Sequence, residues 1–258
     1  MQEANVMDNW KRIWGNRKVI RENIKCADFE TVFMELKRLT GNDTLANGGV
    51  GYPAFVKQFE QVYQELTFAD SFSANSFFEV GCGSGALLLL LQNKKGKEVG
   101  GLDYSNALIK VAKEVIEQPK ELYCAEAIEL DTKIKYDCLF SFSAFEYFRD
   151  YDYANEVLKR MLEKANYSMA VLDVHDINLQ EKYVEYRRSV IPDYDEKYAD
   201  LHKLFYDKSF FVEFAEKNNL DIKITGCKLE GYWNAPFTYD VYFIKNKNVK
   251  MQNGEVNK

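Results

Sequence analysis

Phe77-Phe78-Glu79-Val80-Gly81-Cys82-Gly83-Ser84-Gly85 runs an apolar strand into a glycine turn, and the leucine-rich stretch from Ala86 to Leu91 that follows reads as a helix. Strand, turn and helix in this order open a βαβ unit, in which glycine lets the backbone bend sharply and lets a ligand lie directly against it. The spacing selects among ligands. A dinucleotide fingerprint wants GxGxxG, whereas this turn offers GxGxG followed by Ala86.

Downstream, short apolar strands alternate with helical periods, the pattern of a parallel sheet. Strands are expected near 77–80, 98–102, 121–124, 136–141 and 167–173, with helices near 85–92, 106–118 and 153–164 and a less regular helical stretch over 175–189. Phe210, Phe211, Phe214 and Ala215 suggest a further helix before two last strands, 220–228 and 238–245, whose alternation of apolar and polar residues fits a pair of edge strands. Upstream, Phe29, Val32, Phe33 and Leu36 share one helical face, as do Phe55, Phe59, Val62, Tyr63 and Leu66. A breaker from Thr40 to Pro53, carrying Gly41, Gly48, Gly49 and Gly51, separates them as a loop able to cover a site. The fold class is therefore α/β: a Rossmann-like, seven-stranded, mostly parallel sheet with an antiparallel last strand, helices on both faces and an N-terminal helical cap. The division expected is a cap over 1–70, a catalytic domain over 71–247 with a substrate-binding insertion at about 175–210, and a polar tail over 248–258.

Bulk composition narrows the function. With 34 basic and 40 acidic residues the net charge is −6, which argues against a nucleic-acid partner. Cys26, Cys82, Cys124, Cys138 and Cys227 are odd in number and form no CxxC pair, so neither a disulfide framework nor a zinc site is expected, and the reducing cytoplasm is the expected compartment. The longest strongly apolar run falls far short of the ~20 residues that span a bilayer, so no membrane partner is expected. Monomer and homodimer both stay open.

An acidic residue, one spacer and GxGxG, here Glu79, Gly81, Cys82, Gly83 and Gly85, resembles the first motif of the class I S-adenosylmethionine-dependent methyltransferases. Further matches fall in order over roughly 76–173. Asp103, 22 positions past Gly81, ends the second strand beside Tyr104 and can accept both ribose hydroxyls, while Ser105 caps the next helix and leaves Asp103 free. Glu126 and Ala127 are similar to the adenine-edge motif, although relatives mostly carry Asp where Glu126 stands, and a solvated surface Glu is the competing reading. Ser141, Phe142 and Ser143 resemble the motif that borders the sulfonium. The resemblance implies S-adenosylmethionine as cofactor. A bacterial subgroup acting on small molecules of surface-polysaccharide and natural-product pathways is also similar. That likeness implies Trp14 and Arg17 as a lid over the cofactor, Tyr52, Tyr147, Trp233 and Asn234 at the acceptor, and His202 and Tyr206 facing it.

Methyl transfer asks the protein mainly to align donor and nucleophile and to exclude water. A hydroxyl acceptor also profits from a base, and His175, just beyond the fifth strand, stands where open α/β sheets bind ligands. A polar loop histidine beside Asp176 is the other reading of His175, as a β-turn is of Trp233 and Asn234. No metal is expected, because Asp173 and Asp176 lack a third carboxylate partner after Phe140. The expected activity is O- or N-methylation of a small molecule, such as a sugar, a nucleotide-linked compound or a capsular precursor like a phosphoramidate. The alternatives are an NAD-dependent oxidoreductase, favoured by Asp103 but lacking the third-glycine spacing, and a non-catalytic partner subunit.

Overall fold

The structure, a computed structural model, describes residues 6–15, 28–40, 49–68 and 73–246. Arg17, Cys26, the central part of the breaker and the polar tail lie outside the described residues. In chain order the elements are α1 (Val6–Gly15), α2 (Phe29–Leu39), α3 (Tyr52–Leu66), β1 (Ser76–Val80), α4 (Ala86–Lys95), β2 (Glu98–Asp103), α5 (Asn106–Val115), β3 (Glu121–Cys124), β4 (Tyr136–Phe142), α6 (Tyr151–Lys164), β5 (Ala165–His175), α7 (Gln180–Val190), α8 (Tyr194–Lys197), α9 (Lys208–Lys217), β6 (Leu220–Gly226) and β7 (Thr238–Lys245).

Seven strands form one sheet in the order β3-β2-β1-β4-β5-β7-β6. The contacts among β1 to β5 are parallel, and β7 runs antiparallel to both its neighbours. The order reverses at β1, whose five residues are all buried. Such a switch point opens a crevice at the carboxyl ends of the strands. Alternate strand residues divide the interior in two. Phe77, Val99, Phe140 and Leu172 pack under α2, α3, α4 and α5, while Phe78, Leu102, Leu139 and Val171 pack against α6 and α9. Helix α4 is apolar nearly all round because α2 covers the side turned away from the sheet.

Three expectations are corrected. The last two strands are not both at an edge: β7 lies between β5 and β6 with 238–243 buried, and its polar Asp240 is taken up by the amide of Asp173 at 2.9 Å. Helix α3 starts at Tyr52, inside the stretch read as a breaker, because Pro53 lacks an N–H and fits a helix's first turn. Strand β5 runs on to His175, two residues further than its apolar run suggests, across a register shift at Val171/Val174 where Asp173 adopts φ +60°.

Candidate active site

The glycine turn after β1 lines a cavity that opens to solvent. Gly81 and Gly83 hold φ +78° and +53°, and the protein itself closes in behind them. A Cβ on Gly81 would lie 2.8 Å from Ala144 Cβ, and one on Gly83 would lie 2.6 Å from Thr40 Cγ2, so the cap's α2 docks on the bare turn. Cys82 and Glu79 complete this wall.

Asp103 stands at the end of β2 and lines the cavity beside that turn. Its Oδ2 accepts from the Gly83 amide at 2.9 Å and its Oδ1 from the Ser105 amide at 2.8 Å. Ser105 does cap α5, as expected, but Asp103 is not left free: it braces the glycine turn. Each carboxylate oxygen retains acceptor capacity for a ligand. Burial raises its pKa to about 6, against the pull of the two amides. Beside it, Tyr104 keeps a buried hydroxyl without a partner among the described residues.

Glu126 and Ala127 line the far end, where Tyr153 donates to Glu126 at 3.2 Å. Phe142 and Ser143 line the near end with Tyr147. Trp14 of α1 lines the cavity and meets Tyr147 edge-on, as Trp10 does at 4.7 Å. The Trp14 carbonyl accepts from Ser105 Oγ at 3.1 Å, which ties α1 to the strand end that bears Asp103.

Lys37 of α2 is 3% exposed, lines this cavity and was not singled out from sequence. Its ammonium lies 4.7 Å from the Phe142 ring centre and 4.9 Å from that of Phe55. Burial lowers its pKa to about 8, while the charges of Glu79 and Asp173 act the other way. Glu79 is the reciprocal case. Burial pushes its pKa well up, the Lys37 charge opposes that, and its Oε2 has no partner among the described residues. The cavity thus presents a buried cation and a buried acid on the same side as the glycine turn.

Other sequence candidates fall elsewhere. Gly85 is the left-handed cap of α4, and Ser141 spends its hydroxyl on the Val80 carbonyl at 2.8 Å, tying β4 to β1. Tyr52 packs on Phe29 and Phe33. Tyr206 is corrected from an acceptor-facing residue to a core residue: it is fully buried, stacks on Tyr151 and donates its hydroxyl to the Phe145 carbonyl at 2.8 Å. His202 is corrected as well, being exposed and engaged through its carbonyl, which accepts from Trp10 Nε1 at 2.9 Å.

His175 and Asn234 do come together, at the ends of β5 and of the loop before β7, with Asn234 Nδ2 2.9 Å from His175 Nε2. Both belong to a polar cluster centred on Asp173. That carboxylate accepts from Ser143 Oγ in a short contact, from the Tyr232 hydroxyl at 2.9 Å and from Asn234 Nδ2 at 3.5 Å. Ser143 and Asp173 both hold positive φ, at 52° and 60°, a strain that requires a surrounding structure to enforce it. Trp233 packs outside the cluster, stacked on Tyr186. Among the described residues no group of three or more His, Cys, Asp or Glu could hold a metal, and no helix is long and apolar enough to cross a membrane.

Residues 78–170, from β1 into β5, match the methyltransferase domain family. No curated protein matches the chain in sequence. Among solved structures it resembles magnesium protoporphyrin IX methyltransferase of Synechocystis, with 14% identity over 95% of this chain and 93% of that one at a TM-score of 0.53. It also resembles the plantazolicin methyltransferase BpumL, with 16% identity over 93% and 100% at 0.61. A third likeness is an S-adenosylmethionine-dependent methyltransferase of Clostridium acetobutylicum, with 13% identity over 81% and 97% at 0.58. At these identities the structures show the shared fold. Residues 78–170 thus carry the methyltransferase-domain match on that shared fold. The match ends within β5, and helices α1 to α3 and the segments after β5 lie beyond it.

Proposed function

We propose that the chain transfers the methyl group of S-adenosylmethionine to a hydroxyl or amino group of a small-molecule acceptor, a sugar or a sugar-linked precursor being the reading of finer grain. The observation that carries the cofactor assignment is Asp103, buried at the end of β2 in the wall of the cavity and tied to the glycine turn it faces. When bound, the cofactor supplies an electrophilic methyl carbon on a sulfonium. Asp103 would hold the ribose hydroxyls, and the segment from Glu126 to Ala127 the adenine edge. The unpartnered Glu79 Oε2 and the Lys37 ammonium, both beside the glycine turn, would take the ammonium and carboxylate of the amino-acid end.

At the near end, Ser143 is the polar side chain between the cavity and the Asp173 cluster. A proton released from a hydroxyl acceptor passes from the acceptor oxygen to Ser143 Oγ as the Ser143 proton moves to Asp173. Tyr232 and Asn234 hold that carboxylate in place. His175 meets this cluster through Asn234 and takes no part in the proton transfer. Trp14 and Tyr147 exclude water from the near end.

Calorimetry on the full chain tests the assignment. S-adenosylhomocysteine is expected to bind and NAD to be ignored; NAD binding with no response to S-adenosylhomocysteine would replace the methyltransferase reading with an oxidoreductase.

A further inference from the structure

Behind Ser143 and Tyr147 lies a second set of buried polar groups that the cofactor leaves unused. Glu146 is 3% exposed and its Oε2 has no partner among the described residues; the same holds for His175 Nδ1 and Asn234 Oδ1. All three belong to side chains more than nine-tenths buried. Lys203 adjoins them, with Nζ 3.8 Å from Glu146 Oε1 and 5.2 Å from the centre of the Tyr147 ring. Asn234 Nδ2 lies 2.9 Å from His175 Nε2, and the charge of Lys203 reaches that imidazole, so the four groups are neighbours. The backbone fixes them there. The Leu204 amide donates to the Glu146 carbonyl at 2.8 Å, the Tyr206 amide donates to the His175 carbonyl at 2.8 Å, and Phe205 stacks on His175.

Buried polar atoms left without partners are costly, and three in one place call for a ligand that supplies them. Asn234 Nδ2 donates to His175 Nε2, which puts the imidazole proton on Nδ1; burial first, then the charges of Lys203 and Arg187, hold that imidazole neutral. The region therefore offers two donors, His175 Nδ1–H and the Lys203 ammonium, and two acceptors, Glu146 Oε2 and Asn234 Oδ1. Lys203 is already paired with Glu146 at 3.8 Å, and the unpartnered acceptors Glu146 Oε2 and Asn234 Oδ1 would repel an anion.

We propose that Glu146, His175, Lys203 and Asn234 form the head-group site of the methyl acceptor and take a neutral group that donates and accepts at once, the neighbouring hydroxyls of a sugar or polyol. The proposal rests on the methyl-transfer reading above. It assigns acceptor recognition to the junction of η-turn 145–147, the end of β5 and the loop before β7, and leaves Ser143 to face the hydroxyl that is methylated.

The test uses the full chain, S-adenosylmethionine with a labelled methyl group and three probe sets: methyl glycosides, sugar phosphates and simple phenols. Label is expected to pass to methyl glycosides with the highest kcat/KM. In Glu146→Gln and His175→Gln, which nearly keep the side-chain volume, KM for the glycoside is expected to rise by roughly tenfold or more, with S-adenosylhomocysteine affinity held within about twofold. A merely structural role would move both together. Failure to bind S-adenosylhomocysteine would sink the methyl-transfer reading itself. Binding it while labelling phosphates or phenols in preference, or no probe at all, overturns the head-group proposal alone, as does a variant that weakens S-adenosylhomocysteine as much as the glycoside.

Discussion

Asp103→Asn separates binding from folding at one residue. In the ligand-free protein the carboxylate is buried, and the rise of its pKa from 3.8 to about 6 measures the cost of keeping it ionised, about 3 kcal/mol at neutral pH. Asparagine removes that cost but turns an amino group toward Gly83 or Ser105, so one charge-assisted bond worth about 1.5–3 kcal/mol goes with it. The two changes offset, and the melting temperature is expected to stay within a few degrees. Binding has no such compensation. Two ribose hydroxyls lose an ionised acceptor, and a loss of about 1.5–3 kcal/mol weakens S-adenosylhomocysteine by roughly 10- to 150-fold. The pH dependence carries the same signature. Because the folded pKa lies above the unfolded value, the ligand-free protein loses stability as pH rises from about 3.8 toward about 6, whereas wild-type affinity falls as pH drops below about 6. Glu79 and Cys82 are the ionisable neighbours of Asp103, and both are pushed toward their neutral forms chiefly by burial. Calorimetry between pH 5 and 8 on both proteins reads this out. Equal affinity for S-adenosylhomocysteine in the two proteins at pH 7.5 would refute the reasoning.

Three further outcomes are expected. Lys37→Met removes the cation that faces the amino-acid end, so S-adenosylhomocysteine weakens by roughly tenfold or more while 5′-methylthioadenosine, which lacks that end, binds unchanged; in the wild type the same advantage fades above pH 8 as the lysine, lowered to about 8, loses its proton. Equal weakening of both ligands would show a structural role instead. Gly83→Ala sets a Cβ 2.6 Å from Thr40 Cγ2 at φ +53° and costs about 1–2 kcal/mol, seen as a lower melting temperature together with weaker S-adenosylhomocysteine binding. Tyr206→Phe removes the shorter of the two hydrogen bonds to the buried Phe145 carbonyl, which keeps the Phe148 amide, and costs about 0.5–1.5 kcal/mol of stability in denaturant unfolding, with kcat/KM unchanged below the transition.

What the sequence disclosed was whatever a local run of residues decides. The turn from Gly81 to Gly85 and the strand-end Asp103 are such features, because their neighbours in the chain are also their neighbours in space. Lys37 and Thr40 were not legible. They belong to an amphipathic helix whose pattern reports only that one face is buried, and it is docking on the glycine turn that carries a lysine into a cavity. Tyr206 misled for a related reason: a tyrosine among Phe205, Phe210 and Phe211 reads equally as pocket or core, and only the Phe145 carbonyl decides it. The interior place of β7 was hidden too, since Asp240 looks solvent-facing until its partner, the amide of Asp173, is known. Glu146 gave no signal because its burial comes from the 203–206 segment packing across it.

Helix α1 is fastened at two places that belong to different ligands. Its Trp14 closes the nucleotide side, while its Trp10 and Asn9 grip the carbonyls of His202 and Asp200, next to the lysine of the head-group region. One rigid helix thus joins the wall of the cavity to the 200–203 segment, so a ligand that presses on Trp14 is expected to steady that segment as well, read as slower amide exchange over 200–203 when S-adenosylhomocysteine is bound.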